Sequence, residues 1–270
     1  MSDVLRAITA AAKRSADERE RRLPRPEVER LAASVAPRGQ AFRDRLTQPG
    51  VQVIAECKRR SPSRGVLRSD YDPAAIAKAY AEAGAAAISV LTEPSFFDGS
   101  LDDLRSVRAA VTLPILRKDF IVTDYQVVEA RAAGADAVLL IVAALGDVDL
   151  RRLLSTSASC ELAALVEVHT AEELLRALGA GATIVGVNSR DLRTLTVDTS
   201  VFDKLIYGVP GGVTAVAESG LASGAEMGRL RNRGFDAFLI GERFMSAPDP
   251  GAALRDLIAE AAAVPEKVVR

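Results

Sequence analysis

The feature that most constrains this chain is a repeated punctuation mark. Helix-favouring segments end four times in a small or basic residue, a glycine and a short run into an apolar stretch. The four joins read Ala83-Gly84-Ala85-Ala86-Ala87, Ala133-Gly134-Ala135-Asp136-Ala137, Ala180-Gly181-Ala182-Thr183 and Arg233-Gly234-Phe235-Asp236-Ala237. Each suits a helix that stops at a C-terminal glycine and hands over to a buried strand. Their glycines stand 50, 47 and 53 residues apart, the span of two strand–helix units, so the chain reads as a series of such units.

Short runs rich in Val, Ile, Leu and Ala fall at 52–57, 86–91, 113–117, 137–142, 163–167, 184–187, 214–217 and 237–240, which makes eight strand candidates. Amphipathic segments lie between or after them at Pro73–Ala83, Leu101–Ala110, Asp124–Ala133, Ala171–Leu178, Ser223–Arg233 and Gly251–Ala263. Nearly continuous apolar strands fit a parallel sheet covered by helices. Eight units in 270 residues predict an α/β fold of the (β/α)8, or TIM-barrel, kind. The other candidate, an open doubly wound sheet, needs a phosphate-cradling glycine fingerprint after its first strand, and Val51–Gly65 carries none. Residues 1–50 are different in kind. Val4 to Arg21 and Glu27 to Val35 are helix-favouring and charged, separated by Leu23-Pro24-Arg25-Pro26. They predict a helical extension, and 1–270 is expected to be a single domain in which 51–270 supplies the eight units.

Composition narrows the function. Lys plus Arg is 35 and Asp plus Glu 36, a formal charge of −1, which predicts no nucleic-acid partner and no attachment to an anionic membrane. Two distant cysteines, Cys57 and Cys160, and one histidine make a zinc site of the usual kind a poor expectation. Both thiols read as buried residues of a reducing cytoplasm. The start, Met1-Ser2-Asp3, lacks a signal-peptide pattern, and the longest apolar run, Ala137 to Leu145, is nine residues, too short to span a bilayer. A cytoplasmic monomer is the expectation.

In a βα barrel the active site is built at the C-terminal ends of the strands. The first run reads Val53-Ile54-Ala55-Glu56-Cys57-Lys58. Alternation puts Glu56 and Lys58 on one face and turns Cys57 toward the helices. Two charges facing a barrel interior are paired or used, and a purely structural ion pair is the alternative to a catalytic one. Further polar ends follow: Lys118 after Leu116-Arg117, Glu167 in Leu165-Val166-Glu167-Val168-His169, Asn188 in Gly186-Val187-Asn188-Ser189-Arg190, and Ala217-Glu218-Ser219-Gly220 and Ile240-Gly241-Glu242. The glycines after the last two strands lie where barrels commonly bind phosphate through backbone amides, and Ser61-Pro62-Ser63-Arg64-Gly65 could add a hydroxyl and positive charge. A phosphorylated substrate follows, with plain turn chemistry the alternative for any one glycine. His169 precedes Thr170-Ala171-Glu172-Glu173, a helix N-cap and first turn, and reads as structural.

The run Ile54-Ala55-Glu56-Cys57-Lys58-Arg59-Arg60-Ser61-Pro62-Ser63-Arg64-Gly65 closely resembles the signature of the indole-3-glycerol phosphate synthase family. The resemblance continues in order through Phe96-Phe97-Asp98-Gly99-Ser100, Leu116-Arg117-Lys118-Asp119-Phe120-Ile121, Leu139-Leu140-Ile141-Val142 and the four later strand ends quoted above. It implies a carboxy-lyase of tryptophan biosynthesis that needs no cofactor or metal. Its reaction closes 1-(2-carboxyphenylamino)-1-deoxyribulose 5-phosphate to indole-3-glycerol phosphate, releasing carbon dioxide and water. It also implies that the N-terminal helices pack over the barrel mouth. Carried over residue by residue, the resemblance makes Lys118 the acid near the sugar carbonyl and Glu167 its base or acid partner. Glu56 and Lys58 become a coupled pair, and Asn188 and Ser219 orient substrate hydroxyls. Ser61, Gly220 and Gly241 become phosphate ligands, Arg190 a support for carboxylates, and Phe97 a wall for the anthranilate ring. Which proton Lys58 and Lys118 each move is left open.

Two positions depart from the resemblance. Arg60 stands where some members carry a phosphate-binding lysine, and Glu242 where others offer a serine. The first is expected to serve as a phosphate ligand, with a different geometry from lysine. The second is expected to turn its carboxylate away and offer its backbone amide. Two rival functions remain. A phosphoribosylanthranilate isomerase would need a Cys and Asp pair at the strand ends, and a non-catalytic barrel would not need ammonium groups and carboxylates together.

Overall fold

Apolar runs that are buried on both faces can satisfy their backbone only by pairing side by side, and here they do so in a closed ring. In the computed structural model, which describes residues 3–36 and 38–265, the parallel strands are β1 (Gln52–Cys57), β2 (Ala87–Leu91), β3 (Ile115–Lys118), β4 (Ala137–Ile141), β5 (Ala163–Val168), β6 (Ile184–Asn188), β7 (Thr214–Glu218) and β8 (Ala237–Ile240). Each pairs with the next, and β8 returns to β1 with Gln52 opposite Ala237. All eight expected strands are present and the barrel is closed.

The outer helices are α4 (Pro73–Glu82), α5 (Leu101–Ala110), α6 (Asp124–Ala132), α7 (Asp147–Ser159), α8 (Ala171–Gly179), α9 (Ser200–Leu205), α10 (Gly224–Arg231) and α11 (Pro250–Ala262). Six of them begin on a side-chain cap: Asp72, Ser100, Thr123, Thr170, Ser223 and Asp249 each accept a backbone N–H three residues on. Each such cap is worth about 1 kcal/mol. At the repeated joins Gly84, Gly134, Gly181 and Gly234 have φ of 93°, 92°, 93° and 110°, the left-handed conformation that favours glycine. Helices α7 and α9 had no counterpart in the sequence-based expectation.

Alternation along the strands separates two cores. Val53, Ala55 and Cys57 of β1 face the helices with Val138, Leu140, Val185 and Phe238, whereas Ile54 faces the barrel axis with Leu116, Leu139, Leu165 and Leu239. Cys57 therefore points outward, as expected. Cys160 is only half-buried, beyond the end of α7, rather than part of the core.

The extension is three helices rather than two: α1 (Asp3–Arg22), α2 (Arg25–Ala33) and α3 (Gly39–Leu46). Only α1 reaches the mouth, where Leu5 and Ile8 line the cavity. Val28 and Ala32 of α2 pack on Tyr125 and Val128 of α6. Phe42 and Leu46 of α3, both fully buried, cover the opposite end of the barrel beside Ala87, Ala137 and Ala163, the first residues of their strands. A side chain at Gly39 would run into the Glu161–Ala163 backbone, so α3 lies directly against the start of β5. The expectation of helices over the mouth thus holds for α1 alone. The apolar lower end of the barrel also has to be kept from water.

No helix among the described residues is long and apolar enough to cross a membrane.

Candidate active site

Period-2 alternation brings the last inward residue of each odd strand to the same end of the barrel. These are Glu56 on β1, Lys118 on β3, Glu167 on β5 and Glu218 on β7, and all four line one cavity of about 450 Å³. Lys118 Nζ lies 3.1 Å from Glu167 Oε2 and 3.6 Å from Glu218 Oε2. One step beyond β1, Lys58 Nζ lies 2.7 Å from Glu56 Oε1, and Ser89 Oγ donates to Glu56 Oε2 at 3.5 Å. The two ammonium groups are thus each held by a buried carboxylate.

Electrostatics sharpens the division. Burial pulls the Lys118 pKa down, but Glu167, Glu218 and Glu56 more than offset it and hold the ammonium above the ordinary lysine value. Lys118 therefore stays charged at neutral pH. Burial pushes Glu218 up to about 8, against the pull of Lys118 and with the help of Glu167 and Glu56. The rim thus offers a charged acid and a carboxyl that titrates near neutrality.

Two glycines make room for these carboxylates. A Cβ at Gly186 of β6 would occupy the place of Glu218 Oε1, and a Cβ at Gly241 that of Glu56 Oε1. Gly241 was expected as a phosphate ligand, and it has this second, steric duty.

The remaining expected residues divide. Asn188, 5% exposed, lines the cavity, and its Oδ1 accepts the Arg190 N–H at 2.9 Å. Arg190 donates to the Leu195 carbonyl at 3.1 Å. Ser61, Ser219, Gly220 and Gly241 line one side of the cavity. Phe97 lines it too, tilted against Phe120 with ring centroids 6.2 Å apart. It is placed there by the short helix Pro94–Phe97, whose first amides, at Ser95, Phe96 and Phe97, are all accepted by the buried Glu93 carboxylate. His169 lies outside the cavity lining, with Nδ1 2.7 Å from the Asn188 carbonyl and its N–H donated to Glu173, which fits the structural reading.

Two expectations are corrected. Arg60 is exposed and does not line the cavity; the basic residue of that loop that does is Arg64. The reason is a two-residue hairpin, Arg60–Ser61 with Gly65–Val66, in which Ser61 turns inward and its neighbour must turn out. Glu242 does not turn away. Its carboxylate lines the cavity, 3.6 Å from Arg64 Nε and 3.5 Å from Arg190 Nη2.

Glu218 was not singled out in advance. Thr214, Val216 and Glu218 share the inward face, so the rule that picked Glu56 also picks Glu218. Arg117, beside Lys118, is fully buried on the outward face. It donates to Asp119 at 2.9 Å, to Glu129 at 3.0 Å and to the Gln126 carbonyl at 2.8 Å. Glu129 in turn accepts from Arg19 of α1 at 2.6 Å. Among the described residues no group of three His, Cys, Asp or Glu side chains is arranged to hold a metal ion.

With this geometry in hand, comparison with known proteins places the chain. Among solved structures, a mandelate oxidase superposes with a TM-score of 0.62 at 16% identity, covering 93% of both chains. A thiamine phosphate pyrophosphorylase from Pyrococcus furiosus superposes with 0.60 at 19% identity, covering 79% of this chain and 97% of that one. Likeness at that identity speaks for the fold alone. Sequence relatives are far nearer. An indole-3-glycerol phosphate synthase of Mycobacteroides abscessus is 52% identical over 229 residues, 85% of this chain and 84% of its own length. That of Mycolicibacterium smegmatis is 55% identical over 213 residues, 79% and 78% of the two chains. The family model for indole-3-glycerol phosphate synthase matches residues 5–257, and the chain belongs to that family.

Proposed function

We propose that the ring of Glu56, Lys58, Lys118, Glu167 and Glu218 is the acid/base machinery with which this chain carries out its family's reaction. The chain is a lyase that closes 1-(2-carboxyphenylamino)-1-deoxyribulose 5-phosphate to indole-3-glycerol phosphate, with loss of carbon dioxide and water. The single observation that carries the assignment is Lys118, an ammonium within 3.6 Å of two buried carboxylates at the floor of the cavity.

The chemistry divides into three demands. The sugar carbonyl must gain a proton, or a strong hydrogen bond, as the aromatic carbon bearing the carboxylate attacks it. Lys118, held charged chiefly by Glu167, is the donor of choice. The ring carbon that formed the new bond then loses its carboxylate as carbon dioxide, and the electron pair of the broken bond restores the aromatic ring without any proton donor. Finally the former carbonyl oxygen leaves as water. That step needs an acid at the hydroxyl and a base for the proton released as the indole double bond forms. Glu167, from β5, and the Lys58–Glu56 pair, at the end of β1, flank the β3 residue Lys118 in barrel order and supply the two. Phe97 and Phe120 form an apolar wall suited to the anthranilate ring.

Among the other lining residues Ser61, Gly220, Gly241 and Arg64 are suited to the phosphate, and Asn188, Arg190 and Ser219 to the substrate's hydroxyls and carboxylate. Leu5 and Ile8 of α1 line the cavity beside residues of the barrel, which supports a single domain in which residues 1–50 and the barrel act together. Two free cysteines fit a reducing cytoplasm.

The test is turnover of the carboxyphenylamino sugar phosphate, followed by indole fluorescence. Lys118→Ala and Glu167→Gln are expected to lose at least about a thousandfold in kcat/KM, about 4 kcal/mol of transition-state stabilisation, and still fold. Robust product formation by either variant would sink the assignment.

A further inference from the structure

We infer that Glu242 is a resident competitor for the phosphate-binding corner: its carboxylate occupies two guanidinium groups that an arriving phosphate would take, and so limits how tightly phosphorylated substrate and product are held. The inference rests on placing the phosphate at that corner, and goes beyond it by assigning a role to the acidic side chain that faces both arginines there.

Three observations carry it. Glu242 follows Gly241 at the end of β8, and its two oxygens divide between partners on different loops. Oε1 faces Arg64 Nε at 3.6 Å, on the loop after β1, and Oε2 accepts from Arg190 Nη2 at 3.5 Å, on the loop after β6. All three side chains line the same cavity as Ser61, Gly220 and Gly241. Second, the partners are unequal. Arg190 is also anchored by the Leu195 carbonyl and its side chain is 22% exposed, whereas the Arg64 side chain is 62% exposed, so Arg64 is the one free to swing. Third, the bond lengths are those of loose, partly solvated pairs, which a better anion can exchange. The carboxylate offsets one of the two guanidinium charges, so removing it makes the corner more positive by one charge, facing a phosphate that carries close to two negative charges.

The device has a use in the reaction. Substrate and product share the phosphate, so every increment of phosphate affinity common to both lowers KM and slows release without aiding chemistry. A built-in anion takes back part of that uniform binding.

The experiment is a calorimetric titration with inorganic phosphate, alongside steady-state kinetics, on wild type, Glu242→Gln, Arg64→Met and the double variant. Glu242→Gln is expected to tighten phosphate binding roughly three- to tenfold and lower KM by a similar factor, the gain shrinking in ~0.5 M salt. Arg64→Met should weaken phosphate binding more in the Glu242→Gln background than in wild type, since in wild type the guanidinium is partly engaged. An unchanged or weaker phosphate affinity in Glu242→Gln overturns the proposal, as does additivity of the two substitutions. Ser61→Ala tests the corner itself. If it leaves phosphate binding unchanged, that placement fails, while tightening in Glu242→Gln would still identify the carboxylate as the competitor.

Discussion

Replacing Glu218 by glutamine should make the protein more stable in alkaline solution, and the size of the effect follows from where the carboxylate sits. Glu218 is 1% exposed, its Oε2 lies 3.6 Å from Lys118 Nζ, and its Oε1 finds no hydrogen-bond partner among the described residues. Burial dominates, and the proton is held up to about pH 8 against an ordinary value of 4.5. Because the folded pKa is raised, the contribution to stability is complete below about pH 4.5 and is lost as pH rises through about 8. The interval is about 3.5 pH units at 1.36 kcal/mol each, a ceiling of about 5 kcal/mol. Water and side-chain movement around the charge reduce it, and about 2 kcal/mol or more should survive at pH 9.

The assay is urea unfolding of wild type and Glu218→Gln at pH 5, 7 and 9. At pH 5 the two should differ by less than about 1 kcal/mol, because a neutral amide then replaces a neutral acid of the same shape. By pH 9 the variant should be ahead by about 2–5 kcal/mol. Turnover should move the other way, since the cavity loses a carboxyl that can give up its proton near neutrality. A stability difference that does not change between pH 5 and 9 would refute the argument, because it would mean that Glu218 ionises alike in the folded and unfolded chain.

Two further substitutions probe the frame around the site. Gly186→Ala places a methyl where the Glu218 carboxylate lies, so it should cost about 1–3 kcal/mol in urea unfolding and at least about tenfold in kcat; wild-type kinetics would show that the Glu218 position is immaterial. Arg117→Met strands the buried Asp119 and Glu129 carboxylates and should cost about 3–5 kcal/mol, so a loss under about 1 kcal/mol would contradict the network described.

Most of the barrel could be read from the chain because its strands obey one simple rule. Apolar runs punctuated by Gly84, Gly134, Gly181 and Gly234 fixed eight strands, and alternation within them turned Glu56 inward and Cys57 outward. What the chain hid has physical causes. Helix α7 buries Leu150, Leu153 and Ser157 on one face, but its end, Ser155-Thr156-Ser157-Ala158-Ser159, lacks an apolar stripe. Helix α3 covers the barrel through Phe42 and Leu46 only, too few residues to reveal a period. Arg60 and Arg64 are equally plausible phosphate ligands until a hairpin decides which turns in. Glu242 shows the limit of position alone, for what a carboxylate faces depends on Arg64 and Arg190, which are far away in sequence. Glu218 differs from these, because the period-2 rule reaches it directly once Val216 is placed inward.

The inclusion of Glu218 changes how the site is understood. A barrel interior is ordinarily filled in layers of four side chains from alternate strands, mostly Val, Ile and Leu. Lower down this barrel obeys that habit, with Ile54, Leu116, Leu165 and Val216 on the odd strands. One step higher the same four strands contribute Glu56, Lys118, Glu167 and Glu218, so a layer that should be oil is three carboxylates and an ammonium. Such a layer tolerates its charge only if it is close to neutral. Lys58, reaching back from beyond β1, neutralises Glu56, and Lys118 neutralises Glu167. One carboxylate is then left over, and its cheapest state is protonated. Burial is the larger cause of the raised Glu218 pKa, and the excess negative charge of a closed layer, carried by Glu167 and Glu56, adds to it. A proton held on those terms can be handed on when bound substrate rearranges the charges of the cavity.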